Sequence, residues 1–373
     1  MDTAKTHQRI KPYEAVFVTV VLVYALWSLY RIFLSAAPDF SVLYGSAKNL
    51  LMGRGLYGDT KLFTGLGYPP VSLLPYVPFV ALPYLLSQVV WILGSFGAFL
   101  FTIYACLRAV NTYTRRNWML WASVAFLSFP TKFTLGMGQA NFYALAFLLL
   151  GVSEAKIHPF WRCMALLTAL LLKPHLVLVY TLLLCTKYRQ SVIWSVLSAG
   201  ILTIILGVWN QGINEMSYLQ DMVPTLTRFS GREIYYNQGI QSIIARTVGQ
   251  SGTLVATVLC FTAAAFSVIA IVSKKKYTAI AILAIGLPML LLIEPLSWQH
   301  HAVFLWPTYV LLFYNEKLRR SRVFTAFLIV SILLISWNIK NPVYWLQSPV
   351  SWVVLSHGFF GVLIAWTMAM LLL

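Results

Sequence analysis

The stretch TLVATVLCFTAAAFSVIAIVSKKKYTAIAILAIGLPMLLLI, residues 253–293, decides the fold class. Two apolar runs, 253–273 and 277–293, flank the triplet Lys274, Lys275 and Lys276. A run of about 20 apolar residues crosses the hydrocarbon of a bilayer as a helix. In lipid the backbone must bond to itself, and a helix does so within one segment. Lysine clusters next to membrane spans stay on the cytoplasmic side. The stretch therefore reads as a membrane hairpin turning at cytoplasmic lysines.

The pattern extends outward along the 373 residues, of which 60% are hydrophobic and 10% charged. Soluble domains carry roughly 25% charged residues, so this chain has too few to clothe a water-facing surface. Apolar runs predict crossings at 15–34, 87–107, 117–130, 140–153, 160–172, 175–186, 191–209, 253–273, 277–293, 301–315, 322–338 and 352–372. The expectation is an all-α polytopic membrane protein, a bundle of about 12 transmembrane helices with short amphipathic helices in its outer loops. Residues 1–373 then form a single transmembrane domain, with a first outer loop at 35–86 and a large outer loop at 210–252.

Charge sets the orientation. With the N-terminus inside, the inner segments hold Lys5, Arg9 and Lys11, then Arg108, Arg115 and Arg116, then Lys156 and Arg162, then Lys187 and Arg189, the Lys274 triplet, and Lys317, Arg319, Arg320 and Arg322. Both termini fall on the cytoplasmic side. The apolar segment 69–86 contains Pro69, Pro70, Pro75, Pro78 and Pro83, and reads as a broken helix dipping into the outer leaflet. A full crossing there would place the basic clusters outside. The first apolar run is longer than a signal-peptide core and reads as a retained anchor.

The net charge of +17 is spread over these clusters rather than gathered in a patch, which argues against a nucleic-acid partner. Cys106, Cys163, Cys185 and Cys260 lie in apolar runs without a CxxC pair, so neither a disulfide nor a metal site is expected.

The polar residues collect in four stretches, all outside in this topology. The first outer loop carries Asp39 directly after the first span and a short amphipathic helix over 41–52, stopped at Gly53. Asp39 has two readings, a helix cap and a catalytic carboxylate. TKFTLGMGQANFY, residues 131–143, brings Gln139 and Asn141 into a span, as donors to a sugar or phosphate or as interhelical glue. Its glycines lack the GxGxxG spacing and follow no strand, so it is not a nucleotide loop. Lys173-Pro174-His175 offers a phosphate contact or a lysine snorkelling to the interface. EPLSWQHH, residues 294–301, ends in His300 and His301, which point about 100° apart on a helix. That geometry suits bonds to a lipid phosphate better than chelation of one ion. In the large outer loop, Ile213, Met216, Leu219, Val223 and Leu226 fit one helical face and are expected to roof an outer cavity.

One carboxylate among outer hydrogen-bonding groups suits catalysis at a membrane surface. A transporter or flippase of lipid-linked glycans is the alternative, but transporters keep ionisable groups near mid-membrane and show inverted repeats. A membrane-surface glycosyl transfer needs one base for the acceptor hydroxyl and cationic or donor groups for the leaving phosphate.

The pieces DFSVLYGSAKNLLMGRGLYGD (39–59), YPPVSLLPYVPFVALP (68–83), GQANFYALAFLLLG (138–151), LLKPHLVL (171–178), NQGIQSIIAR (237–246) and LSWQHHAVFLWP (296–307) occur in this order. Together they resemble the bacterial polyprenol-phosphate-mannose-dependent mannosyltransferases of glycosyltransferase family 87, in the GT-C superfamily. The resemblance implies an inverting transfer, most readily of mannose, from a polyprenyl-phosphate-linked donor to a glycolipid or glycan acceptor. It implies Asp39 as general base, and His300 and His301, with Lys173, Gln139 and Asn141, at the donor phosphate or the active-site wall. It also implies a GT-C-like bundle in the bacterial plasma membrane with its site on the outer face. No cofactor is expected. A second acid near the first, common in the superfamily, has only the distant Asp59 to match it here. The stretches 131–143 and 237–246 carry no role derivable from sequence.

Overall fold

Long apolar runs without competing polar groups leave the backbone only itself to bond with, and the chain is helical nearly throughout. A computed structural model describes residues 10–57, 66–228, 232–273, 277–338 and 350–372. In chain order the principal helices are α1 (Pro12–Phe33), α2 (Pro38–Leu51), α3 (Tyr84–Ala109), α4 (Arg115–Leu127), α5 (Phe129–Met137), α6 (Asn141–Gly151), α7 (Pro159–Leu172), α8 (Val177–Leu183), α9 (Arg189–Trp209), α10 (Ile240–Val248), α11 (Thr253–Ser273), α12 (Ala279–Ile293), α13 (Trp306–Tyr314), α14 (Arg322–Ser336) and α15 (His357–Leu372). Among the described residues no strand forms beyond one isolated bridge between Asn237 and Trp298.

The termini follow capping chemistry. Thr114 accepts from the Asn117 amide at 3.0 Å to open α4, and Ser128 accepts from the Thr131 amide at 3.4 Å to open α5. The expected crossing 117–130 thus stops at Ser128. Residues expected to form a polar entrance continue as α5, which runs past α1: Lys132 Nζ lies 3.2 Å from Tyr24 OH. The chain then bends by 107° into α6. Pro174 breaks the next apolar segment into α7, a one-turn 3-10 helix at Pro174–Leu176, and α8, where the sequence had placed a break. The proline-rich segment forms the 3-10 turns Pro70–Tyr76 and a short helix Val77–Val80, again a broken helix.

Length bears on the expected dozen crossings. Among the described residues four helices are long and apolar enough to cross a membrane: Pro12–Phe33, Tyr84–Ala109, Arg189–Trp209 and the stretch Ile240–Ser273. The bent pair Phe129–Met137 and Asn141–Gly151 makes a fifth if taken as one span. The remaining apolar segments are helices of 10–17 residues, so a count of about 12 is not reached by length. A helix of 15 residues extends only about 22 Å.

α12 is the axis of the bundle, buried from Ala281 to Leu292 without a break, and α6 packs with it in one core. The long helices ring them with apolar faces outward. Along α9 only Val192 and Ser195 are buried, while Trp194, Ile201, Ile204, Val208 and Trp209 are exposed. Exposed apolar area on this scale needs lipid to cover it. This is a multi-pass membrane protein.

Charge is segregated by end. Where α6 meets α7, Arg162 Nη1 donates to the Gly151 carbonyl at 2.7 Å, and Lys187 pairs with Glu154 on the surface. The opposite ends of α5, α7 and α12 lead to Gly138, Lys173 and Glu294 and converge on α2 and the segment 294–301.

Candidate active site

α2 opens on Ala37-Pro38-Asp39. Ala37 is buried in the left-handed region, at φ 39° and ψ 65°, and Pro38 takes the first helical position. That conformation costs a residue with a Cβ roughly 1–2 kcal/mol, so the surroundings must enforce it. They do. Tyr84 OH donates to the Ala36 carbonyl at 2.7 Å, and Gln88 Nε2 to the Ser35 carbonyl at 2.7 Å. Phe40, fully buried, stacks on Trp91 at 5.2 Å, and Trp91 Nε1 donates to the Gly138 carbonyl at 2.8 Å. α3 thereby clamps both the Asp39 turn and the Gly138 turn.

The Asp39 carboxylate does not cap α2. It accepts a hydrogen bond from Gln139 Nε2, so the capping alternative falls. Burial pushes its pKa up, opposed by the Gln139 bond and by the charge of Lys173. The other end of the same amide, Gln139 Oε1, accepts from Lys173 Nζ at 2.9 Å. Lys173 is 0% exposed and gives a second bond to Tyr68 OH at 2.8 Å. A fully buried ammonium is no snorkelling residue. The result is a row: Asp39, Gln139, Lys173, Tyr68.

A second group lies beside Lys173. Glu294, at the end of α12, places Oε1 3.1 Å from His175 Nδ1 and Oε2 3.2 Å from His301 Nδ1, the latter off the line of a hydrogen bond. The His300 and His301 rings meet edge to face at 4.5 Å with planes 89° apart, on the 3-10 turn Gln299–Leu305. Asn141 sits one layer behind. Its Nδ2 donates to the His300 carbonyl at 3.0 Å, and Thr134 Oγ1 donates to the same carbonyl at 3.0 Å. Asn141 therefore fixes His300 through its backbone.

The segment 237–239 buttresses the histidine-bearing segment. Gln238 N donates to the Ser297 carbonyl at 2.7 Å, Gln299 N to the Tyr236 carbonyl at 2.8 Å, and Asn237 Nδ2 to the Pro295 carbonyl at 2.9 Å. A Cβ on Gly239 would stand 3.0 Å from the Glu294 carbonyl, so glycine permits this approach. Both stretches without a derivable role, 131–143 and 237–246, thus hold His300 and Glu294 in place.

A buried acid, a lysine and three histidines thus gather at one end of an apolar bundle. Residues 66–295 match the sequence profile of Glycosyltransferase family 87. The chain belongs to glycosyltransferase family 87. A polyprenol-phosphate-mannose-dependent alpha-(1-2)-phosphatidylinositol mannoside mannosyltransferase of Mycolicibacterium smegmatis is 25% identical over 362 residues, covering 87% of this chain and 80% of that protein. A polyprenol-phosphate-mannose-dependent alpha-(1-2)-phosphatidylinositol pentamannoside mannosyltransferase of the same organism is 24% identical over 296 residues, 74% of this chain and 69% of that protein. No solved structure matches. As a member of the family, the chain is a glycosyltransferase.

The family 87 fold brings Asp39, Gln139, Lys173, His300 and His301 into one neighbourhood, with Asn141 behind them. Asp59 lies outside the described residues. Sequence reading gave no role to Tyr68, His175 or Glu294. The available signal was a carboxylate ending the otherwise uncharged run 277–293, since an acid there needs partners. The loop after α9 departs from expectation. It is helical over Ile213–Ser217 and Val223–Thr227, but Ile213, Met216 and Leu219 are exposed, and Asn214 and Met222 turn inward. Val223 and Leu226, on the same face, are half-buried, so only its 213–219 part is exposed. Asn214 Oδ1 accepts from the Leu56 amide at 3.0 Å and ties this loop to the one leaving α2.

Proposed function

We propose that the protein moves a mannosyl group from a polyprenyl-phosphate carrier to a hydroxyl of a glycolipid or glycan, on the non-cytoplasmic face and with inversion. The observation that carries the reading is the row Asp39, Gln139, Lys173, in which one amide separates a carboxylate from a buried ammonium. Asp39 takes the acceptor proton as the hydroxyl oxygen attacks the anomeric carbon. A single displacement inverts that carbon. Lys173, His300 and His301 face the phosphate, whose charge grows as the carbon–oxygen bond breaks. Gln139 holds Asp39 and Lys173 at a fixed separation, and Asn141 holds His300. This division of labour asks for no metal, because the charge that develops is met by side chains.

The relatives support the donor, since their names specify polyprenol-phosphate-mannose and phosphatidylinositol mannoside acceptors. Family membership disfavours the transporter reading. The wider architecture we propose is a GT-C-like bundle of about 12 crossings, with both termini cytoplasmic and the Asp39 end outside. Helix ends support it: α5, α7 and α12 all lead to the site, and the turns between α6 and α7 and between α8 and α9 lie opposite.

The test is mass spectrometry of the purified protein incubated with polyprenyl-phosphate-mannose and a membrane-lipid extract, comparing the native chain with Asp39→Asn. A lipid heavier by one hexose, made by the native chain alone, supports the reaction and the base. Equal product from both refutes the role of Asp39. An unconsumed donor refutes the mannosyl donor.

A further inference from the structure

The reaction above has a base but no assigned acid. The donor is a phosphodiester with one negative charge, and its leaving group is a monoester that gains a second. Buried among aromatic and apolar groups, that charge needs a proton as well as a cation.

Glu294 is buried at the end of α12, with His175 on one oxygen and His301 on the other. Lys173, one helix end away, is the remaining charged group near it, and His300 stands against His301. At its back, α11 offers the Cys260 thiol to the Ile293 carbonyl at 3.9 Å, and segment 237–239 offers backbone and amide groups. The His175 and His301 rings lie 5.4 Å apart. His175 Nε2 and both ring nitrogens of His300 are buried without a partner. Buried polar atoms are paired in the great majority of cases, so orphans on two neighbouring rings mark a place for a ligand. Burial pushes the Glu294 carboxyl up, opposed by the charges of His175 and Lys173. That direction favours the neutral, proton-bearing carboxyl of Glu294.

We propose that Glu294 and His175 form the acid side of the reaction, Glu294 storing one proton that His175 delivers to the leaving phosphate. The proposal rests on the glycosyl transfer proposed above. As the hydroxyl oxygen bonds to the anomeric carbon, the carbon–oxygen bond to phosphate breaks and its electron pair stays on the phosphate oxygen. That oxygen takes the proton from His175 Nε2, and His175 Nδ1 takes the proton of Glu294. Asp39 gains the acceptor's proton, so one proton enters the site's base as one leaves its acid. Exchange with water after product release restores both. His175 is the catalytic acid, and Glu294 the positioning residue behind it, the same carboxylate–imidazole logic that orients histidine in hydrolase triads.

The experiment compares Glu294→Gln, His175→Asn and the double variant with the native protein. Transfer rate is measured against pH, and retention of polyprenyl phosphate by native mass spectrometry. Glutamine keeps the size and polarity of Glu294 but carries no transferable proton. Either single variant should lower kcat on the order of 10²-fold while still binding polyprenyl phosphate. The double variant should lose little more than either single one, because the pair acts as a unit. The native rate should fall at high pH as Glu294 loses its proton, and Glu294→Gln should abolish that limb. Native kcat with the high-pH limb intact in Glu294→Gln overturns the proposal. Should the glutamine variant fail to fold, Glu294→Asp decides: a shifted high-pH limb supports the pair, and an unmoved one overturns it. If Glu294→Gln matches the native protein while Asp39→Asn is inactive, the transfer reading stands and this one falls. If Asp39→Asn is fully active, the transfer reading falls with its base.

Discussion

Gly138 is the position where the smallest change should do the most damage. Its φ is +70°, and a Cβ there would stand 2.7 Å from Phe40 Cβ, 3.2 Å from Ala37 Cβ and 3.4 Å from the Phe40 amide. Replacing it with alanine adds two costs. The left-handed conformation disfavours a side chain by about 1–2 kcal/mol. The added methyl overfills a core contact, typically by about 1–3 kcal/mol. The steric part cannot be relieved at Phe40, which is held between Trp91, Tyr84 and Phe79. Ordinary carbon contacts lie near 3.5–4.0 Å, so the two backbones must part by about 1 Å. Asp39 sits on one of them and Gln139 on the other. A displacement of about 1 Å at a reacting group costs on the order of 10²-fold in rate. The expected result for Gly138→Ala is a lowered midpoint of thermal unfolding in detergent together with a rate loss of that order. An unchanged midpoint with native transfer would refute the packing argument, and a lowered midpoint with native transfer would refute the claim that this contact positions Asp39.

Four further outcomes follow from the same contacts. Lys173→Met should raise the donor KM and leave Gln139 Oε1 and Tyr68 OH unpaired, destabilising the fold by about 1–3 kcal/mol for each orphan, as read by thermal unfolding and initial rates. The rate of the native protein should fall as pH drops through a pKa above the ordinary aspartate range, because burial raises Asp39 and only its ionised form accepts a proton. The same Lys173→Met variant should move that acid limb to still higher pH, since the lysine charge is one of the influences holding Asp39 down. Asn237→Ala removes the bond to the Pro295 carbonyl and should lower both the unfolding midpoint and kcat, measured on one preparation.

The class of the fold was legible because the hydrocarbon allows so few solutions. Apolar runs and proline breaks located most of the described helices, though the dozen crossings is not reached by length, and the lysine turn at 274–276 lies outside the described residues. Two things were not legible. The stretch 131–143 was read for Gln139 and Asn141 alone, yet Lys132 and Thr134 are also used inside the bundle, at Tyr24 and at the His300 carbonyl. The apolar face of 213–226 was expected to roof a cavity, yet Ile213, Met216 and Leu219 on it are exposed, because amphipathicity shows that two faces differ, not which one meets protein. In the site, Asp39 and the histidine pair stood out as ionisable residues at helix ends. Glu294 and His175 were visible but had no partners until three distant segments came together.

Why the carboxylate and the lysine are separated by an amide follows from what a base must do. An ammonium bonded directly to Asp39 would hold the carboxylate well below its ordinary range and leave it a poor proton acceptor. No lysine near Asp39 at all would leave the incoming phosphate without a cation. Gln139 answers both demands, since its oxygen satisfies the ammonium while its nitrogen steadies the carboxylate. Burial then outweighs the lysine, and Asp39 stays above the usual aspartate value. The identity of residue 139 matters for that reason: glutamate there would take the lysine's charge for itself, and a shorter residue would let the ammonium reach Asp39. In the proposed reaction Asp39 keeps its strength as a base because Gln139 stands between it and the cation that would attract phosphate.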